Sequence, residues 1–215
     1  MPVITSITVQ EKKKNRCNLF VDGEFFSGLS VEIAVKNRLK VGMEISKNEI
    51  NEIVEESNKL DALNLSVKYV SNTLKTKKQV KTYLQGKGFS ENIIWYCIDK
   101  LKEYKYIDDS EYAKRYIDSV SKNQGVHLTE YKLMAKGIRK EEIRAVYEQL
   151  NISSKENALG VLEKYLRNKE QNKENILKAY RYLLSRGFTY EDVNYAVSKY
   201  KDEDWWIEYW LQDKW

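Results

Sequence analysis

The chain has 215 residues, 37 of them basic and 32 acidic, and is 42% hydrophobic. Its one proline and nine glycines leave little length for flexible linkers. No stretch reaches the roughly 18 apolar residues of a membrane span, and the start MPVITSITVQ lacks a charged-then-apolar signal segment. We expect a cytoplasmic, monomeric protein of one or two domains or several small repeats, with Cys17 and Cys97 reduced.

The net charge of +5 is unevenly placed. Residues 1–57 sum to −1, residues 58–107 to +6, and residues 108–150 and 151–215 to zero each. A localised basic stretch is the footprint of a partner that carries phosphates or carboxylates.

Residues 4–9 (ITSITV) alternate and are β-branched, predicting a strand. A second strand is read over 17–21. Asp22-Gly23 is a two-residue hairpin turn, and a third strand starts at Glu24. The three strands make a small antiparallel sheet that needs a packed partner, supplied by a short helix over 31–39. Ser46 and Glu49 form a capping box that opens another helix, with Ile50, Ile53 and Val54 on one face.

From about Leu60 a motif repeats. Lys87-Gly88-Phe89, Lys136-Gly137-Ile138 and Arg186-Gly187-Phe188 place glycines 49 and 50 residues apart. Each is preceded by an apolar pair and followed, six residues after the glycine, by Ile94, Ile143 or Val193. Apolar positions then step at helical spacing, so each copy reads helix, glycine turn, helix. A basic residue before the glycine suits the negative end of the helix dipole. Thr76 caps the helix over 77–85; Ser90 and Thr189 are caps after the first and third glycines, whereas Arg139-Lys140 offers none after the second. Asp108 and Asp109 are read as residues of a helix start, not metal ligands.

The predicted fold is mainly α: three tandem three-helix repeats in an elongated array behind a small sheet-and-helix domain. The divisions are 1–57, 58–107, 108–152, 153–201 and a tail, 202–215. That tail holds Trp205, Trp206, Trp210 and Trp215 among acidic residues. Either it docks its indoles on the last repeat, or Trp205, Trp206 and Trp210 anchor a partner.

Catalytic and cofactor patterns are absent from the sequence. His127 is the single histidine, no CxxC pair exists, and no phosphate-binding glycine loop is present. A binding protein without metal, cofactor or enzymatic activity is the expectation.

Three stretches, residues 84–89 (LQGKGF), 101–113 (LKEYKYIDDSEYA) and 183–188 (LLSRGF), resemble the RecX regulatory proteins of bacteria. The resemblance covers about residues 58–200, and the strand-rich front is similar as well. It implies binding along the RecA recombinase filament on single-stranded DNA, with suppression of ATPase, recombinase and coprotease activities. At residues 125–130 (GVHLTE) the chain departs from the family's Gly-Pro and basic residues, which implies a less basic middle repeat. The binding surface is expected from Lys75, Lys77, Lys78, Lys81 and Lys87 in the first repeat. Arg139, Lys140 and Arg144 would serve in the second, with Arg181 and Arg186 in the third. The alternative is a free-standing DNA binder of helix-turn-helix-like units.

Overall fold

The computed structural model describes residues 1–170 and 172–200. It divides into two compact units, Met1–Asp108 and the chain from Asp109 onward.

In the first unit, β1 (Ile4–Val9), β2 (Arg16–Val21) and β3 (Glu24–Ser30) form an antiparallel sheet in the order β1-β2-β3. Asp22 and Gly23 both take positive φ, 51° and 85°, as the tight hairpin requires. Alternation along β2 buries Cys17, Leu19 and Val21 on one face. The first helix, α1 (Val31–Lys36), is shorter than the expected 31–39. Arg38 turns to φ 51° and the Asn37 side chain donates to the Ile33 carbonyl at 3.0 Å, which ends the helix early.

The largest difference from the sequence reading is α2 (Lys47–Ser71), one continuous 25-residue helix. It begins at the expected capping box: Glu49 N–H donates to Ser46 Oγ at 3.2 Å and Ser46 N–H to Glu49 Oε2 at 2.9 Å. It then runs through residues 57 and 58, where the first division was drawn. No Gly, Pro or capping signal interrupts residues 50–71, so backbone propensity carries the helix on. Its first turns add Ile50, Ile53 and Val54 to the sheet core, and its later turns add Ala62, Leu63, Val67 and Val70 to the core of the first repeat. Buried Ser57 accepts from Ser30 N–H at 2.7 Å, and Asp61 pairs with Arg16, tying the helix to β3 and β2.

The helices α3 (Lys77–Gln85) and α4 (Glu91–Glu103) complete that repeat around Val80, Leu84, Ile94, Cys97, Ile98 and Leu101. Thr76 and Gln79 form a capping box on α3. Ser90 stands at the N-cap of α4, but its side chain makes no capping bond, contrary to expectation.

The second unit holds two further repeats. Helices α5 (Asp109–Val120), α6 (Val126–Ala135) and α7 (Lys140–Leu150) enclose Ala113, Ile117, Leu133, Ile138, Ile143 and Val146. Helices α8 (Ser154–Leu166), α9 (Lys173–Ser185) and α10 (Tyr190–Ser198) enclose Leu162, Ala179, Leu183, Phe188, Val193 and Val197. Thr189 caps α10 in a box with Asp192. Arg139 supplies no acceptor for α7, as expected; Glu142 reaches back to accept its N–H at 3.1 Å.

The repeated turn is the same closing motif three times. Gly88, Gly137 and Gly187 take φ of 83°, 90° and 86°. The next residue's N–H, from Phe89, Ile138 or Phe188, donates to the carbonyl of Leu84, Leu133 or Leu183 at 3.3, 3.2 and 3.3 Å. Each glycine N–H donates one turn inward, to Gln85, Met134 and Leu184, at 2.9 Å. These two hydrogen bonds satisfy otherwise orphaned carbonyls of a helix end.

The third turn also seats the α5–α6 loop. Gly125 N–H donates to the Arg186 carbonyl and His127 N–H to the Gly187 carbonyl, both at 3.0 Å. A Cβ at Gly125 would come within 3.0 Å of Phe188 N, and one at Gly187 within 3.0 Å of Leu128. Two glycines therefore let the second and third repeats approach backbone to backbone.

Candidate functional site

The ten predicted cations fall into distinct environments. In the first repeat, Lys77 and Lys78 occupy the first turn of α3. Lys81, one turn further on, is held by Glu91 at 2.9 Å and lies 5.1 Å from the centre of the Trp95 ring. The Lys81 hydrogen bond, followed by that of Gln85, holds the Glu91 carboxyl below its ordinary value.

Lys75 and Lys87 are different. Lys75 Nζ lies 5.0 Å from the Tyr69 ring centre and Lys87 Nζ 5.6 Å from that of Tyr83. Tyr69, from the end of α2, and Tyr83, from α3, are stacked at 4.2 Å with planes 4° apart. Neither lysine has an ion-pair partner among the described residues.

The middle repeat pairs its own candidates with carboxylates. Arg139 bonds Glu142 at 2.7 Å, which raises the guanidinium pKa further. Lys140 and Arg144, from α7, converge on Glu130 of α6 at 3.5 and 3.7 Å. Glu130 is 8% exposed, so its charge is committed to these two partners. Tyr147, half-buried beside them, has its phenol pKa raised chiefly by desolvation.

In the third repeat Arg181 is exposed on α9. Arg186 lies with Cζ 5.5 Å from the Tyr182 ring centre. Tyr182 stacks on Tyr165 of α8 at 4.8 Å, and Lys169 Nζ sits 3.2 Å from the centre of the Tyr165 ring. Neither Lys169 nor any of the four tyrosines was among the predicted residues. The available signal was positional: Tyr83 and Tyr182 each stand five residues before a repeat glycine, where the middle repeat has Lys132. Trp205, Trp206 and Trp210 lie outside the described residues.

Burial raises the Cys97 thiol to about 11, and Cys17 is also raised, chiefly by desolvation. Both thiols are free and buried. Among the described residues no three His, Cys, Asp or Glu side chains gather as metal ligands, and no helix is long and apolar enough to cross a membrane.

Comparison with known proteins gives this arrangement a family. The regulatory protein RecX N-terminal domain matches residues 2–46. The first and third RecX three-helix domains match residues 62–101 and 154–197. A regulatory protein RecX of Clostridium tetani is 34% identical over 91% of this chain and 93% of its own length. The chain belongs to the RecX family of regulatory proteins.

Other RecX relatives agree. One from Clostridium botulinum, strain Alaska E43, is 31% identical over 93% of this chain and 96% of its own. A crystal structure of regulatory protein RecX shares the fold at a TM-score of 0.66 and 22% identity, covering 91% of this chain and 98% of that one. RecX from Lactobacillus salivarius gives 0.61, also at 22% identity, over 66% of this chain and 96% of that one. The tandem three-helix repeats are therefore a RecX architecture, and the relatives bear the name of regulators.

Proposed function

We propose that this RecX-family protein binds the RecA recombinase filament assembled on single-stranded DNA and lowers its ATPase, strand-exchange and coprotease activities. It performs no chemistry of its own. The observation that carries the reading is family membership. A second feature supports it: the first and third repeats hold cations against tyrosine rings without an ion-pairing carboxylate among the described residues. Such cations remain attractive to an anionic partner, whereas those on Glu130 do not to the same degree.

A modular array suits a polymeric partner. Linked weak contacts on successive subunits raise the total affinity steeply. The competing reading, α4 as a base-reading helix, is disfavoured because Glu91, Asp99 and Glu103 outnumber Lys100 and Lys102 along it, which leaves the helix without the positive charge that a DNA backbone attracts.

The test is a titration of the protein into the single-stranded-DNA-dependent ATPase of the cognate RecA. Inhibition well below one molecule per RecA subunit is expected. An unchanged rate, together with tight sequence-dependent binding to duplex DNA, would overturn the reading in favour of the free-standing DNA binder.

A further inference from the structure

Two sites of one design appear in repeats that the sequence places a hundred residues apart. In each, a tyrosine near the end of the repeat's first helix stacks on a tyrosine five residues before the glycine. The basic residue immediately before that glycine, Lys87 or Arg186, lies by the second ring. A lysine from the connection after the first helix, Lys75 or Lys169, lies by the first ring. The glycine turn thus does more than close the helix, since its geometry positions one of the two cations.

A π face attracts a cation through its quadrupole but offers no lone pair for a directed hydrogen bond. The N–H donors of these cations therefore stay available to an anion. At Arg186 the site is more developed. The Nε atom is buried with no hydrogen-bond partner among the described residues. It borders a cleft of about 160 Å³ lined by Asn123, Val161, Lys164, Tyr165, Tyr182 and Arg186. Lys164 adds a second cation there, held by Asn123 Oδ1 at 3.4 Å. A buried guanidinium donor without an acceptor, beside a small basic cleft, is suited to an incoming oxyanion.

We propose that the two stacks are anion clamps, each taking a backbone phosphate of single-stranded nucleic acid. Two equivalent sites suit a polymer that presents the same anion at every unit, and aromatic rings interleaved with cations are the chemistry of single-strand binding. The middle repeat keeps only part of the design: Lys136, before its glycine, lies 6.0 Å from the centre of the Tyr112 ring, but Lys132 replaces the tyrosine five residues before the glycine and donates to Gln124 at 2.7 Å, while Glu130 engages Lys140 and Arg144. The biological setting rests on the filament reading, but the clamp is measured on bare strand without recombinase, so either can fail alone.

The experiment is fluorescence anisotropy of a short labelled oligothymidylate across a salt series. The variants are Lys75→Gln with Lys87→Gln, and Lys169→Gln with Arg186→Gln. Lys178→Gln, whose charge is paired with Glu174, is the control. Each double variant should lower the slope of log affinity against log salt by about 0.7, the value for one phosphate contact on a single strand. At about 0.1 M salt that corresponds to roughly 5-fold weaker binding. Unchanged slope and affinity in both double variants would overturn the proposal, as would equal competition by polyglutamate, which would assign the clamps to carboxylates. Where a double variant loses its helical circular dichroism, the wild-type protein supplies the test. The Arg186 Nε–H resonance, identified by its loss in Arg186→Lys, should shift on saturation with oligothymidylate; an unmoved resonance refutes the cleft.

Discussion

Replacing the glycines by alanine separates backbone strain from crowding. Gly88 and Gly187 have nearly the same φ, 83° and 86°, and close their helices in the same way. Alanine in that left-handed conformation costs about 1–2 kcal/mol. At Gly88 a Cβ would meet nothing within 4 Å, so Gly88→Ala should cost only that strain. At Gly187 it would also press into Leu128 Cβ and backbone, adding about 1–3 kcal/mol of overpacking. Gly125 supplies the complementary case. Its φ of −76° is ordinary for any residue, but its Cβ would strike Phe188 N and Gly187. Gly125→Ala should therefore cost about 1–3 kcal/mol from crowding alone, and Gly187→Ala about 2–5 kcal/mol from both sources. The double variant should lose less than the sum, because one contact is broken twice. Urea unfolding by far-UV circular dichroism gives the losses, and amide hydrogen exchange assigns each to its unit. Equal losses at positions 88 and 187 would refute the close approach of the second and third repeats at this turn.

Three further outcomes follow from the packing and charges. Glu56 has its pKa lowered from 4.5, first by the Lys36 hydrogen bond and then by that of Asn37. A depressed folded pKa contributes stability that is present above the unfolded value and lost as pH falls through the folded one. Glu56→Gln should therefore flatten the decline of the first unit's urea midpoint below about pH 4.5; an identical decline in the variant would exclude the pair as a cause. Cys97 should resist a thiol reagent in the native protein at neutral pH, being 0% exposed with its pKa pushed up to about 11, and should react once urea unfolds the chain. Rapid native labelling would contradict the buried helix face. Ile98→Ala should destabilise the first unit by about 2–5 kcal/mol, the range for a fully buried aliphatic residue; a loss well under 1 kcal/mol in the same urea titration would show the core to be loosely packed there.

Features governed by neighbours along the chain were legible from the sequence. The Asp22-Gly23 hairpin, the capping box at Ser46, the cap at Thr76, and the three glycine closures depend on which residues tolerate positive φ or accept a nearby N–H. The repeat cores were equally legible, because 3.6-residue spacing places Ile94, Ile98 and Leu101 on one side of α4. The continuity of α2 was less so. Its apolar stripe serves the sheet core and then the repeat core, and a change of packing partner resembles a change of element when only periodicity is read.

The sequence by itself determined the turns, the helices and their repetition, since these follow from local backbone chemistry, and it carried the family's motifs. Which cations remain available was decided only by the tertiary structure. Lys140 and Arg144 share the single charge of Glu130 on another helix, while Lys75, Lys87, Lys169 and Arg186 rest against tyrosine rings. The stacks join Tyr69 to Tyr83 and Tyr165 to Tyr182 across a helix pair. A basic residue's availability depends on whichever group packs against it, and that group is brought there by the fold, not by its place in the chain.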